Sequence, residues 1–410
     1  MRIGVIGAGG VGSAIASIAA RRPFFEQLVI ADIDAARAER AAQRANDRRI
    51  IATRVDATDA LDLAELIRHY RLDIIVNACD PRFNPPIFEA AFAAGADYID
   101  MAMHLSRPHP ERPYEECGVM LGEAQFAASD AWAERGRLSL VGMGVEPGLS
   151  DVFARYASDH LFSSIDSVGV RDGSDIVIEG ESFAPTFSIW TTIEECLNPP
   201  IIWERERGWF TTAPFSEPEV FDFPAGIGPL SCVNVEHEEV ILMPTWLDVG
   251  RVTFKYGLGD EFIDILQTLH KLGLDSTRPV MVRGHEVSPR DVVAACLPNP
   301  AELGDHMRGV TCAGSLVSGI GRDGQPRSTY LYHVVDNEWT MSTFGHQAVV
   351  WQTAVNPVVA LELISLGEWK GCGVLGPEAF EADAYLDLLN EHGVSWALDE
   401  HITAPQATAD

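Results

Sequence analysis

The sequence predicts an α/β protein: an N-terminal Rossmann domain with a doubly wound parallel sheet, then an α+β substrate and dimerisation domain. Three observations predict it. A glycine-rich turn stands between a short apolar strand and a helix in the first dozen residues. Strand and helix patterns then alternate to about residue 100. Beyond residue 160 the pattern changes to β-branched and aromatic strands bounded by turns, with helices between them.

Arg2 to Ile6 reads as the first strand and Val11 to Ala20 as a helix, with Gly7-Ala8-Gly9-Gly10-Val11-Gly12 between them. This is G-x-G-x-x-G in the setting that binds a dinucleotide. Gly7 turns the chain off the strand, Gly9 lets backbone approach a diphosphate, and Gly12 lets the helix pack closely on the sheet. The helix start offers N–H groups and a partial positive charge to phosphate. A second strand, Leu28 to Ala31, ends at Asp32, twenty residues after Gly12, with Ile33 beside it. A carboxylate there accepts hydrogen bonds from the adenosine ribose. It would repel a 2′-phosphate, and the nearest following arginine is Arg37, so the expected cofactor is NAD rather than NADP.

A helix from about Ala35 to Ala45 follows, then a strand from Arg49 to Arg54 that ends in Val55-Asp56-Ala57. Ala60 to Tyr70 is a helix, and Asp73 to Ala78 has the unbroken apolar run of a buried parallel strand. A loop at Cys79 to Asn84 leads to a helix from Pro86 to Ala94 and a strand from Asp97 to Asp100. In such sheets ligands sit outside the carboxyl ends of the strands. That rule places Asp56 and Ala57 near adenine, and Asn77, Ala78 and Cys79 near the nicotinamide ribose. Met101 to Pro113 reads as a loop over the cofactor, Glu115 to Arg135 as helical, and Leu138 to Gly142 as a sixth strand. Further strands are expected at 165–171, 176–179, 233–240, 251–256 and 328–335, with a hairpin turn at Gly321 to Gln325. Helices are expected at 187–197, 261–272, 289–297, 347–366 and 377–392, with a loose tail from Thr403. The expected domains are 1–125 for the cofactor, 126–345 for substrate and dimerisation, and 346–402 for helices that return to the first domain. Strand 138–142 stands at the boundary.

Composition bounds the function. Of 410 residues 47% are hydrophobic and 22% charged, ordinary values for a globular enzyme. No apolar run reads as membrane-spanning, and no signal-peptide pattern is seen. A net charge of −30 argues against nucleic acid and anionic membrane as partners. Seven scattered cysteines without C-x-x-C spacing argue for reduced thiols in a cytoplasm and against a metal site.

Hydride transfer to or from a nicotinamide needs a group near the reacting carbon that can take up or release a proton. The sixth strand breaks into Met143-Gly144-Val145-Glu146-Pro147-Gly148, and the helix after it points at the same crevice. Glu146 is therefore the first candidate for the base; the plainer alternative is an acid facing a helix N-terminus. His237, between Glu236 and Glu238, is a candidate proton carrier, with a satisfied histidine as its alternative. Lys255, on an apolar strand, could activate water or join a salt bridge. Trp190, Thr191 and Glu194 share one side of a helix and could wall a pocket. Arg171, Arg251 and Arg308 could hold a substrate carboxylate.

Several stretches resemble the saccharopine dehydrogenase-like oxidoreductases, with lysine 6-dehydrogenase the most similar branch. They are GVIGAGGVG, VDATD, IIVNACDP, YIDMA and GMGVEPGLSD, then FSIWTTIEECLNPPIIWERERGWFTTAPFSEPE and NPVVALELISLGEWKGCGVLGPEAF. VNVEHEEVILMP and FGHQAVVWQ depart from the pattern. The resemblance implies an NAD(P)-dependent dehydrogenase acting on an amino acid or polyamine-like substrate, usually as a homodimer. The expected reaction is oxidative deamination of a lysine-like diamino acid. One alternative is reductive condensation of an amine with a carbonyl, as in saccharopine or carboxynorspermidine formation. Another is an NAD-binding regulator without turnover.

Overall fold

The computed structural model describes residues 1–181 and 183–400; the tail from Thr403 lies outside them. Strands β1 (Arg2–Ile6), β2 (Gln27–Asp32), β3 (Ile50–Arg54), β4 (Ile74–Asn77), β5 (Asp97–Asp100) and β6 (Leu138–Leu140) form a parallel sheet. A seventh strand, Gly373–Leu375, pairs in parallel with β6. The order is Gly373–Leu375, β6, β5, β4, β1, β2, β3. Helices α1 (Gly10–Ala19), α2 (Ala35–Ala45), α3 (Ala60–Tyr70) and α4 (Asn84–Ala94) make the crossovers. β4 is buried along its whole length, as its apolar run requires. So β6 belongs to the cofactor sheet, and the sheet draws its edge strand from near the end of the chain.

The expected helix from Glu115 to Arg135 is instead two short ones, α5 (Glu123–Ala127) and α6 (Ser129–Glu134). Upstream of them Val119 exchanges backbone hydrogen bonds with Arg107, which holds that stretch extended. After β6 the chain knots at Gly144–Gly148 and enters α7 (Leu149–Tyr156). Gly144 donates its N–H to the Pro147 carbonyl at 2.6 Å, and Gly148 donates to Asp151 Oδ2 at 2.7 Å.

The second domain is a nine-stranded mixed sheet around the long strand β7 (Phe162–Ser174). β7 runs parallel to Val249–Gly257 and antiparallel to Val310–Gly321. Val310–Gly321 turns through the expected hairpin into Pro326–Asp336, whose far edge pairs with Ala397–Glu400. The expected strand 233–240 is corrected. Its sheet pairing ends at Asn234, opposite Lys255, and Glu239–Trp246 is a helix. The β-branched residues misled here because packing overrode their strand preference.

Helix Ala348–Leu366 packs along α1. By length and composition it could cross a membrane, contrary to the reading from sequence, but most of it is buried inside the protein. Its interior amides are used within the fold. Gln352 Nε2 donates to the His333 carbonyl at 2.9 Å, and Asn356 Oδ1 accepts from the Tyr385 hydroxyl at 2.6 Å.

The close approach of α1 to β1 rests on one hydrogen atom. A Cβ on Gly12 would lie 1.9 Å from the Gly7 carbonyl oxygen. Gly12→Ala is expected to lower unfolding free energy by about 1–3 kcal/mol, measured by urea denaturation.

Candidate active site

The first turn of α1 faces the crevice at the carboxyl ends of β1 and β4. Gly9 caps the helix with no side-chain hydrogen bond, and a Cβ on it would meet nothing within 4 Å. Free backbone donors and open space fit a diphosphate. Asp32 accepts the Ala8 N–H at 2.8 Å and the Asp34 N–H at 2.9 Å, which fixes its carboxylate at the ribose position. Arg37 lies 3.6 Å from it. Ile33 is 56% exposed beside them, an apolar surface on which an adenine ring could pack. Asp56 instead ties its own turn, accepting from the Thr58 N–H and hydroxyl at 2.9 and 2.7 Å; Ala57 follows in that turn.

Asn77 braces the next turn. Its Oδ1 accepts the Cys79 N–H at 3.0 Å, and its Nδ2 donates to Asn84 at 2.5 Å and to Tyr98 at 3.2 Å. Its amide is thus committed to the loop, which brings Ala78 and Cys79 to the crevice wall. Burial pushes the Cys79 thiol up to about 12, so it stays protonated there. A bound nicotinamide dinucleotide would be held by Gly7 to Val11, Asp32, Ile33 and the Asn77–Cys79 turn, and it would supply or accept a hydride.

From Gly10, Val11 and the Asn77–Cys79 turn a cavity of about 530 Å³ runs to the second sheet. Glu146 projects into it from the knot after β6, as the sequence predicted. Asp172 on β7, Glu195 and Thr191 on helix Ile189–Leu197, Glu238 and Tyr256 line it as well. Burial, then the charge of Asp172, holds the Glu146 carboxyl far above the carboxylate range. Burial raises Asp172 to about 7, although its hydrogen bond with Glu146 works the other way. Two carboxyl groups in hydrogen-bond contact share a proton. Burial raises Glu195 to about 8 against the Tyr256 hydroxyl, which reaches it at 3.4 Å.

His237 lies behind this wall, stacked on Phe254 with centroids 3.8 Å apart. Its Nδ1 is 2.5 Å from Glu239 and 3.5 Å from Glu238. Burial alone would discharge the ring, but Glu239, Glu238 and Glu195 together outweigh it and the pKa rises to about 10. The acids around it thus favour the imidazolium form of His237, and the ring sits behind the wall instead of lining the cavity. The ligand atoms of His237, Glu238 and Glu239 come within 4.8 Å of one another.

Lys255 is corrected. It does not line the cavity but pairs with Glu219 at 2.7 Å on the opposite face of the sheet, beside Arg171. Side chains alternate along a strand, so Tyr256 takes the cavity side. The register pairs Tyr256 with Asp172 and Lys255 with Arg171. The candidate arginines are also engaged elsewhere: Arg171 with Glu219, Arg251 with Glu204 and Glu217, and Arg308 with Glu338. Glu194 pairs with Arg290, and its neighbour Glu195 faces the cavity. His104 and His346 are buried and held neutral, lowered to about 4 by burial.

Residues 3–140 match the saccharopine dehydrogenase NADP binding domain, and residues 144–394 match the saccharopine dehydrogenase C-terminal domain. The chain belongs to the saccharopine dehydrogenase family. It is 30% identical to the carboxynorspermidine synthase of Vibrio alginolyticus over 98% of this chain and 97% of that protein. The Vibrio cholerae carboxynorspermidine synthase is 29% identical, with the same coverage. The carboxyaminopropylagmatine dehydrogenase of Synechocystis sp. is 26% identical over 96% of both chains. The fold matches apo saccharopine dehydrogenase (L-Glu forming) from Saccharomyces cerevisiae with a TM-score of 0.69, at 13% identity, over 98% of this chain and 99% of that one. The protein is thus an oxidoreductase of this family, acting on carbon–nitrogen bonds. The family resemblance seen in the sequence stands, but its narrower likeness to lysine 6-dehydrogenase gives way to these polyamine-named relatives.

The buried acids of this saccharopine dehydrogenase relative make its stability depend on pH. Asp100, Asp172, Glu236 and Glu378 are raised by burial to about 7, and Glu195 to about 8. In this range the folded chain binds more protons than the unfolded one, so their contribution is full at low pH and is lost as pH rises through 7 and 8. His104, His333, His346 and His392, lowered to about 4, act in the opposite sense only below their ordinary value of 6.5. The melting temperature without ligands is expected to fall between about pH 6.5 and 8.5, and Glu195→Gln to flatten that fall; calorimetric scans across this range check both.

Proposed function

We propose that this enzyme joins a primary diamine to the aldehyde group of an amino-acid semialdehyde and reduces the resulting imine with a nicotinamide cofactor. The cavity wall carries this reading. Its acidic residues are Asp80, Glu146, Asp172, Glu195 and Glu238, and no lysine or arginine lines it among the described residues. Such a wall favours a substrate whose charges are cationic. The polyamine names of the relatives support the same class. The carboxylate of the second substrate would meet neutral donors, Ser188, Thr191 and Thr192, at the start of helix Ile189–Leu197.

The Glu146–Asp172 pair is suited to both proton transfers. An ammonium must lose a proton before its nitrogen can attack the aldehyde, and the pair can take it. The carbinolamine then loses its hydroxyl as water, and the pair can return the proton to that oxygen. The iminium carbon left behind is the hydride acceptor. Both transfers are general acid–base steps, each contributing about 10²–10⁴-fold.

Dinucleotide choice is assigned to two side chains. Asp32 supports NAD through the ribose hydroxyls, whereas Arg37 supports the 2′-phosphate of NADP. Asp32→Ala is expected to raise KM for NADH and lower it for NADPH, and Arg37→Ala to do the reverse, in steady-state assays with both cofactors.

Oxidation of the reduced cofactor should require propane-1,3-diamine and an amino-acid semialdehyde together. Reduction of NAD by lysine alone at a comparable rate would overturn the condensation reading. Glu146→Gln is expected to lower kcat about 100-fold with a much smaller change in KM; full activity would remove Glu146 from the proton transfers.

A further inference from the structure

Among the five acids on the cavity wall, Glu238 is built differently. Its side chain is buried, with Oε1 accepting the Met103 N–H at 3.0 Å. Its Oε2 faces His237 Nδ1 at 3.5 Å. That ring cannot turn away. It is stacked on Phe254 and bound to Glu239, whose other oxygen accepts the Ser150 hydroxyl at 2.9 Å. Glu239 is itself 0% exposed. A fixed imidazolium therefore stands directly behind one cavity carboxylate. The field of that ring also reaches Glu195 and Asp172, but among the cavity acids of the described residues Glu238 is the one that forms an ion pair with it.

We propose that Glu238 anchors the second ammonium group of the diamine, with His237 and Glu239 as positioning residues that hold its carboxyl group in place at the cavity wall. This rests on the diamine reading above and assigns it a specificity residue. The groups facing Glu238 agree with the division of labour. Glu195 from helix Ile189–Leu197, Asp100 from β5, and Glu146 and Asp172 across the cavity are carboxyls held partly protonated by burial. Glu239 on its own segment is matched to the imidazolium. His237 is the one cation whose field pulls the Glu238 proton off, and it limits the upward shift that burial imposes. A monoamine makes only the contact at Glu146 and Asp172. A diamine makes that contact and a charge-assisted hydrogen bond to Glu238, so Glu238 sets the preference between them.

Calorimetric binding of propane-1,3-diamine and of propylamine, with no turnover, tests this. Gln keeps the acceptor for the Met103 N–H, so Glu238→Gln retains that brace. In it the diamine Kd should rise about 10- to 100-fold, and the diamine-over-propylamine preference should collapse. In His237→Asn the preference should fall at neutral pH and return as the solution is made alkaline, because Glu238 then ionises unaided. An unchanged preference in folded Glu238→Gln would overturn the proposal. So would a loss in His237→Asn that is equal at every pH. Diamine that binds the unaltered enzyme through Glu238 but is never joined to an aldehyde would instead refute the proposed reaction and leave the anchor standing.

Discussion

Carboxyl groups crowded together away from water cannot all carry charge, and this constraint shapes the site of the enzyme. At an effective dielectric constant near 20, two like charges 4 Å apart repel by about 4 kcal/mol. The fold answers in two ways. Burial and the repulsion of neighbouring acids push Glu146 and Asp172 toward their neutral forms, as they do Asp151 and Glu378 deeper in the core. Around His237 it answers by placing a cation among acids, with Glu239 and Glu238 on either side of one ring nitrogen.

Two sheets supply the two halves of that cavity. The parallel sheet brings the backbone donors at the start of α1 and the braced turn at Asn77. The mixed sheet and helix Ile189–Leu197 bring acids for a ligand whose charge is positive. The knot at Gly144–Gly148 lies where they meet, and its one long acidic side chain is Glu146. A redox cofactor and an amine can therefore approach each other without competing for the same wall.

The cofactor half was legible in the sequence because its signals are local. Strand, glycine turn and helix are adjacent, and Asp32 ends the next strand. Glu146 was legible for the same reason, since a turn at the end of a parallel strand has a known direction. The substrate half was not. Lys255 and Tyr256 lie on a strand buried on both faces, where alternation fixes that they point apart but hydrophobicity gives no sign of which is inward. Glu194 and Glu195 posed the same problem on a helix, and only the partner Arg290 decides between them. His237 was singled out beside Glu236 and Glu238, but the sequence did not say that Glu239, two residues on, would be the acid buried against the ring. The three-residue strand Gly373–Leu375 was beyond any pattern, its pairing being set by a neighbour more than 200 residues earlier.

That late strand has a bearing on how the chain is made. The nucleotide-binding sheet leaves the ribosome almost whole, with β1 to β6 available in order, yet the outer flank of β6 has no mate until residue 375 has been synthesised. Through most of translation this flank is a row of unmatched peptide groups. The mixed sheet has the same arrangement, since its edge strand Ala397–Glu400 comes later still, so each sheet takes an outer strand from the last forty residues of the chain.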